Sequence, residues 1–307
     1  MTQLKVFITL LFTFYIELIF GQNYLKGEIT DSENGKPISF SNIWILDTNY
    51  GTTSSETGKF TLKLDTIITN QKLKISAIGY YDTSIILKSL NLKIKLKPKI
   101  YEITEIKVWP KKKEELIIND LRNISLKGGI VNDTTPRITG MFFPYKSIYS
   151  KYPYLKSIII YTRDLSPSKF NIRIYSFDTI MNKPTNELIS DNIIAKSRTS
   201  LIGKPKYVEV NLLKYSLEIP KSGIFIGVEW LILPENKFRI EYSQSNRKNR
   251  YFKTYFGPNL GATIDSVNLS WDYRKGKWYE PRIGRYMKDN SIVKRYLNPA
   301  ISLKLTN

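Results

Sequence analysis

The chain of 307 residues contains no cysteine and no histidine. Without thiols there is no disulfide, so each domain must be large enough to stabilise itself by burial. Without thiol or imidazole there is no Cys–His or Ser–His–Asp nucleophile system and no zinc site built on His or Cys ligands. The cysteine-linked lipid of a bacterial lipoprotein has no acceptor. The chemistry left open is that of carboxylate pairs, a Ser–Lys dyad or oxygen-ligated Ca²⁺. Long apolar runs are scarce too. The one such run, Val6 to Phe20, is too short to span a bilayer comfortably. Lys5 precedes it and Gly21 follows it. Despite Glu17 inside the run, residues 1–21 read as an export signal cleaved before Gln22. The remainder is expected to be exported, with no transmembrane span, and to reside in the periplasm, at the outer membrane or outside the cell.

Beyond the signal, the dominant pattern has period two. Between residues 27 and 96, apolar and polar residues alternate in short stretches, each closed by Gly, Pro, Asn or Asp, the pattern of antiparallel strands joined by tight turns. Leu73, Ile75 and Ala77 share one face, and Leu92, Ile94 and Leu96 alternate with Lys93, Lys95 and Lys97. The linked motifs are Gly27-Glu28-Ile29-Thr30-Asp31, Gly35-Lys36-Pro37-Ile38, Gly58-Lys59-Phe60-Thr61-Leu62 and Ile78-Gly79-Tyr80-Tyr81. Together they resemble the carboxypeptidase regulatory-like domain, a small transthyretin-like β-sandwich. The resemblance implies a non-catalytic module. The zinc chemistry of the enzymes that gave the family its name does not carry over, because their His ligands are missing. In many relatives the module leads into an outer-membrane transporter barrel, for which too little chain remains here. Asp31-Ser32-Glu33-Asn34-Gly35 has the oxygen content of a calcium loop, but Asn42 stands at the twelfth position where glutamate is needed. A hairpin turn through Asn34-Gly35 explains the same residues.

Pro110 and Lys111-Lys112-Lys113 mark a boundary. Leu116, Ile117, Leu121 and Ile124 then follow at helical spacing, with Gly128-Gly129 as a stop, which predicts a short helix over 114–126. Strand patterns resume near Ile138 and recur to Tyr242, punctuated by Pro144, Pro167, Pro184, Pro220 and Pro234. Strands this short, broken by proline, do not suit an outer-membrane barrel. The expected class is therefore all-β. A transthyretin-like β-sandwich occupies 22–108, a linker with a short helix 109–137, and a jelly-roll-like β-sandwich 138–307. Phe142-Phe143-Pro144-Tyr145, Phe170 to Tyr175 and Ile224 to Trp230 resemble a second domain found behind this module in exported proteins of Gram-negative bacteria, with no assigned reaction.

The net charge is +20. The lysines are spread over strands and loops, so clustering rather than the total would mark a binding face. Two features stand out. Glu229 shares a strand face with Phe225, Gly227 and Leu231, opposite Ile224, Ile226, Val228 and Trp230. A carboxylate so placed should titrate higher than usual or find a partner; an ion pair with an arginine such as Arg173 or Arg239, or exposure on a solvated face, accounts for it equally. The other feature is a pair of basic-aromatic segments, read as loops, around Arg250, Tyr251 and Tyr255 and around Trp271, Tyr273, Trp278 and Tyr279. Such side chains either close a core or offer sugars a stacking surface flanked by cations.

The expected function is a non-catalytic, exported cell-envelope protein in which an interaction module is joined to a sandwich that binds a glycan or an envelope protein. Nucleic acid is not an expected partner. The alternative is a glycan-acting hydrolase using two of Glu229, Glu241, Asp265 and Asp272, which the sequence cannot pair. No catalytic, metal-binding or cofactor-binding residue is assigned, and no cofactor is implied.

Overall fold

The alternation of the first hundred residues folds into two small sheets. The computed structural model describes residues 23–66, 68, 70–100, 114–123, 126, 128–200, 205–243, 250–280, 284–288 and 291–307, and the expected export signal lies outside them. The first strands are β1 (Asn23–Asp31), β2 (Asn42–Ile45), β3 (Gly51–Thr53), β4 (Lys59–Leu64), β5 (Lys72–Ser76), β6 (Thr83–Ile86) and β7 (Asn91–Leu96). A three-stranded sheet in the order β4-β1-β7 faces a four-stranded sheet in the order β3-β2-β5-β6. Their inward residues, including Leu25, Ile29, Ile43, Ile45, Leu73, Ile75, Ile94 and Leu96, form one core. Asp31 closes the first hairpin: one carboxylate oxygen accepts the amides of Glu33 at 2.7 Å and Asn34 at 3.2 Å, and the other accepts the Tyr80 hydroxyl at 3.0 Å. The Glu33 amide holds this carboxyl below its ordinary range. One of its oxygens is thus occupied by the turn, as the hairpin reading expects, and the other by Tyr80.

The second part comprises β8 (Glu115–Ile118), β9 (Gly128–Asn132), β10 (Ile138–Phe143), β11 (Tyr154–Thr162), β12 (Lys169–Asp178), β13 (Lys183–Glu187), β14 (Ile193–Lys196), β15 (Lys206–Asn211), β16 (Ile224–Trp230), β17 (Lys237–Ser243), β18 (Arg250–Asp265), β19 (Ser270–Arg274), β20 (Lys277–Tyr279), β21 (Gly284–Lys288), β22 (Ser291–Pro299) and β23 (Ile301–Thr306). Seven strands make a sheet ordered β13-β12-β16-β10-β19-β20, with β14 on β12. Nine make the facing sheet, ordered β21-β22-β18-β11-β23-β8, with β15 on β11 and with β9 and β17 on β18. Ile172, Ile174, Ile226, Val228 and Trp230 from the first sheet meet Ile158, Ile160, Leu260, Leu303 and Leu305 from the second in one core. The fold is all-β, and the helical pieces among the described residues are 3-10 turns of three to five residues.

Several sequence expectations are corrected. The helix over 114–126 is instead β8, which adds an antiparallel strand beside β23 and packs Leu116 and Ile118 on the core. Leu116 and Ile118 also satisfy period two, and the free edge of β23 decides between the two periodicities. Gly128-Gly129 is not a helix stop but the start of β9. A Cβ on Gly129 would lie 2.5 Å from Asn259 Oδ1, so a larger residue there would displace the Asn259 side chain. The basic-aromatic segments are strands rather than loops. Arg250–Asp265 is a single run of 16 residues whose register shifts between Phe256 and Leu260, where Gly257-Pro258 interrupts the alternation.

Candidate functional site

Alternation places two sets of side chains outside the cores. On β2, Ile43 and Ile45 enter the first core, so Asn42 and Trp44 point the other way. On β16 and β12, Phe225, Gly227, Glu229, Asn171, Arg173 and Tyr175 point away from the second core. These two outward faces meet, and the centre of the seven-stranded sheet is consequently buried on both sides, with every residue of β16 buried. Trp44 Nε1 donates to the Pro136 carbonyl at 3.0 Å, and its ring meets Tyr273 edge-on at 6.2 Å. Phe40 of the first sandwich packs with Leu231 and Leu233 of the second, and the Ile232 amide donates to Thr53 Oγ1 at 3.0 Å.

A polar network sits in this seam. Glu229 is 0% exposed. Arg173 Nη1 donates to both of its oxygens at 3.0 Å, Asn171 Nδ2 donates to Oε2 at 2.9 Å, and Asn42 Nδ2 reaches across from the first sandwich to Oε1. The other guanidinium nitrogen of Arg173 donates to Glu187, which also pairs with Lys99 at 3.6 Å. Burial by itself would weaken the hold of Arg173 on its proton. The charge of Glu229 outweighs it, and the net direction is upward. Burial raises the Tyr175 and Tyr273 hydroxyls and lowers the Lys99 ammonium. At the edge of the same face Lys74 pairs with Asp82 at 2.8 Å, and the Tyr273 hydroxyl donates to Asp82 at 3.4 Å. Arg173 therefore bridges two carboxylates, with Lys99 supplying the second positive charge, and both oxygens of Glu229 are taken up by Arg173, Asn42 and Asn171.

The seven aromatic and basic residues picked from the sequence divide between two places. Trp271, Tyr273 and Trp278 join Ile138, Phe142, Tyr175, Phe177 and Phe225 in an aromatic layer on the outer face of the seven-stranded sheet. Trp271 is 8% exposed. The Trp278 ring lies 5.3 Å from Tyr175, 5.2 Å from Phe225 and 5.1 Å from Tyr273. Tyr279 is exposed at the rim of this layer. Arg250, Tyr251 and Tyr255 lie elsewhere, on a two-stranded ribbon where β17 pairs with residues 250–256 of β18. On one ribbon face Phe238 opposes Tyr255, Ile240 opposes Lys253 and Tyr242 opposes Tyr251. The rings of Tyr242 and Tyr251 stack at 5.5 Å, and those of Phe238 and Tyr255 at 5.9 Å. The hydroxyls of Tyr242 and Tyr255 meet at 2.8 Å although the Ile240–Lys253 pair lies between theirs on this face, so both rings lean along the ribbon toward each other. Tyr255 is thereby buried, while Tyr251 remains 50% exposed and Phe252, on the opposite face, 64% exposed. Arg250 is exposed and pairs with Glu241 at 3.1 Å.

Of the other carboxylates considered, Asp272 is buried, takes two hydrogen bonds from Arg137 Nη2 at 2.8 Å and one from Arg274 at 2.7 Å, and accepts the Thr139 hydroxyl. Asp265 caps the turn after β18, accepting the Ser266 amide at 2.6 Å. Among the described residues no group of three or more Asp or Glu side chains is arranged to hold a metal ion. An open groove of about 370 Å³ lies at the edge of the seam, between Ser39 and Tyr80 on one side and Asp191, Asn192 and Tyr215 on the other. Sequence reasoning named Glu229 and offered Arg173 or Arg239 as its partner, of which Arg173 is the one in contact. It missed Asn42, Asn171, Glu187 and Tyr242. Polar residues standing inside apolar alternation are the only sign that Asn42 and Asn171 leave behind.

No helix among the described residues is long and apolar enough to cross a membrane. No curated protein matches the chain. Among solved structures, a Bacteroides fragilis protein of unknown function, suggested to be membrane-associated, is 11% identical, with 93% of this chain and 98% of that one covered and a TM-score of 0.21. A DUF3823 family protein from Bacteroides uniformis is 9% identical, with 76% and 96% covered and a TM-score of 0.15. Residues 25–108, a stretch that takes in the strands of the first sandwich, match the family model of the CarboxypepD_reg-like domain, the family that its turns and strands resemble.

Proposed function

We propose that this protein is a non-catalytic, exported component of the bacterial cell envelope, in which the CarboxypepD_reg-like module is fixed to a jelly-roll-like sandwich that binds a glycan or an envelope protein. The observation that carries this reading is the closure of the seam. Its buried carboxylates are consumed by Arg173 and Lys99, and its aromatic layer is largely covered. A dry, ion-paired face holds two domains in one orientation and offers no reactive group to a substrate. The hydrolase alternative asks for two working carboxylates, and the closed ion pairs of Glu229 and Asp272 weigh against it. The test is a tagged full chain expressed in a Gram-negative host, fractionated, cross-linked in the envelope and assayed for release of reducing ends from a panel of polysaccharides. The expected result is a chain in the envelope fractions, retained with an envelope glycan or protein and releasing no reducing ends. Turnover lost on Glu241→Gln or Asp265→Asn, or retention in the cytoplasm, would overturn the reading.

A further inference from the structure

We infer that the ribbon of β17 and β18 is the binding site, and that its ligand is an acidic polysaccharide whose sugars carry carboxylates. The inference rests on the binding role proposed above and adds its place and its ligand class. Residues 237–256 contain six Lys or Arg against one carboxylate, Glu241, so five of the chain's twenty excess positive charges sit in these twenty residues. Glu241 is already engaged by Arg250, which leaves Lys237, Arg239 and Lys253 without an acidic partner among the described residues of the ribbon. Clustered charge of one sign beside exposed rings is the complement of a polyanion with apolar C–H faces. The geometry supplies both on each side. Tyr251 and Lys253 share one face, and Phe252, Arg250 and Arg239 share the other. The Tyr242–Tyr255 hydroxyl contact braces the face that carries Tyr251. A sugar ring lying on Tyr251 would place its carboxylate near Lys253, whose ammonium lies 5.2 Å from the Tyr255 ring centre. Residues 244–249, which connect the two strands, are Gln, Ser, Asn, Arg, Lys and Asn. Insertion into a bilayer needs apolar side chains there, so the composition favours a hydrated polyanion over a lipid surface.

The test uses the full chain and calorimetric titration with polygalacturonate, with neutral dextran, a DNA oligomer and phosphatidylglycerol vesicles as comparators. Polygalacturonate is expected to bind, with affinity falling as salt rises, and dextran is expected not to bind. Tyr251→Ala with Phe252→Ala should weaken binding about tenfold, and Lys237→Glu with Lys253→Glu should abolish it, both without change in the circular dichroism spectrum. Equal affinity for dextran, tighter binding to DNA or vesicles, or an aromatic double variant that binds as the parent does would each overturn the assignment. If polygalacturonate is not bound while the envelope pull-down still retains a glycan or protein, the ribbon assignment falls and the broader binding role stands.

Discussion

The seam between the sandwiches and the ribbon at one end of the second are built from the same materials: strands, aromatic rings, arginines and glutamates. They differ in balance. In the seam, Arg173 lies between Glu229 and Glu187, Lys99 adds to Glu187, and Lys74 answers Asp82. In the paired strands of the ribbon, Glu241 is the one acid beside Lys237, Arg239, Arg250 and Lys253. The seam is closed to water, so its charges must cancel where they stand. The ribbon is wet, so its excess charge costs little and remains available to a partner. Residue type alone does not separate a structural aromatic-basic cluster from a binding one; burial and charge balance do.

The contrast can be broken from the seam side first, where the effects are largest. Glu229→Ala leaves Arg173 buried beside Glu187 with half its neutralising charge gone and should cost about 3–5 kcal/mol in urea unfolding. Replacing both residues, Glu229→Leu with Arg173→Met, should recover only part of that loss, because Glu187 then keeps Lys99 alone and Asn42 and Asn171 lose their acceptor. A carboxylate buried without a cation sharpens the point. Asp164 accepts the Asn259 amide at 2.7 Å, its other oxygen has no partner, and burial pushes its carboxyl up to about 6. Because the folded value lies above the unfolded one, its contribution is fully present below about pH 4 and is lost as pH rises through about 6. The loss amounts to at most about 3 kcal/mol. Asp164→Asn should flatten that part of the stability–pH curve. Gly51→Ala places a methyl 2.6 Å from Pro136 Cδ across the seam and should cost about 1–3 kcal/mol by thermal melting. The smallest effect is expected on the ribbon: Tyr251→Ala and Phe252→Ala should each change stability by no more than about 0.5 kcal/mol.

The first sandwich was readable strand by strand because most of its strands have one dry and one wet face, as Lys93 and Lys95 beside Ile94 illustrate. The second was readable only as far as that pattern held. β16 and β12 are buried on both faces and give near-continuous apolar runs, which still mark strands. β18 was lost because Gly257-Pro258 interrupts its alternation, and β8 because its few apolar residues fit two periods. The face of Glu229 followed from counting by twos. Its contact with Asn42 did not, since the two residues are 187 positions apart and no local pattern encodes such a pairing. The aromatic set was legible as residues but not as two separate places, because strand order decides which rings meet.

Differential scanning calorimetry of the full chain tests most directly whether the seam makes one body of two sandwiches. A single transition, with calorimetric and van't Hoff enthalpies equal, is the predicted result. Two separable transitions in the unmodified protein, one per sandwich, would contradict it.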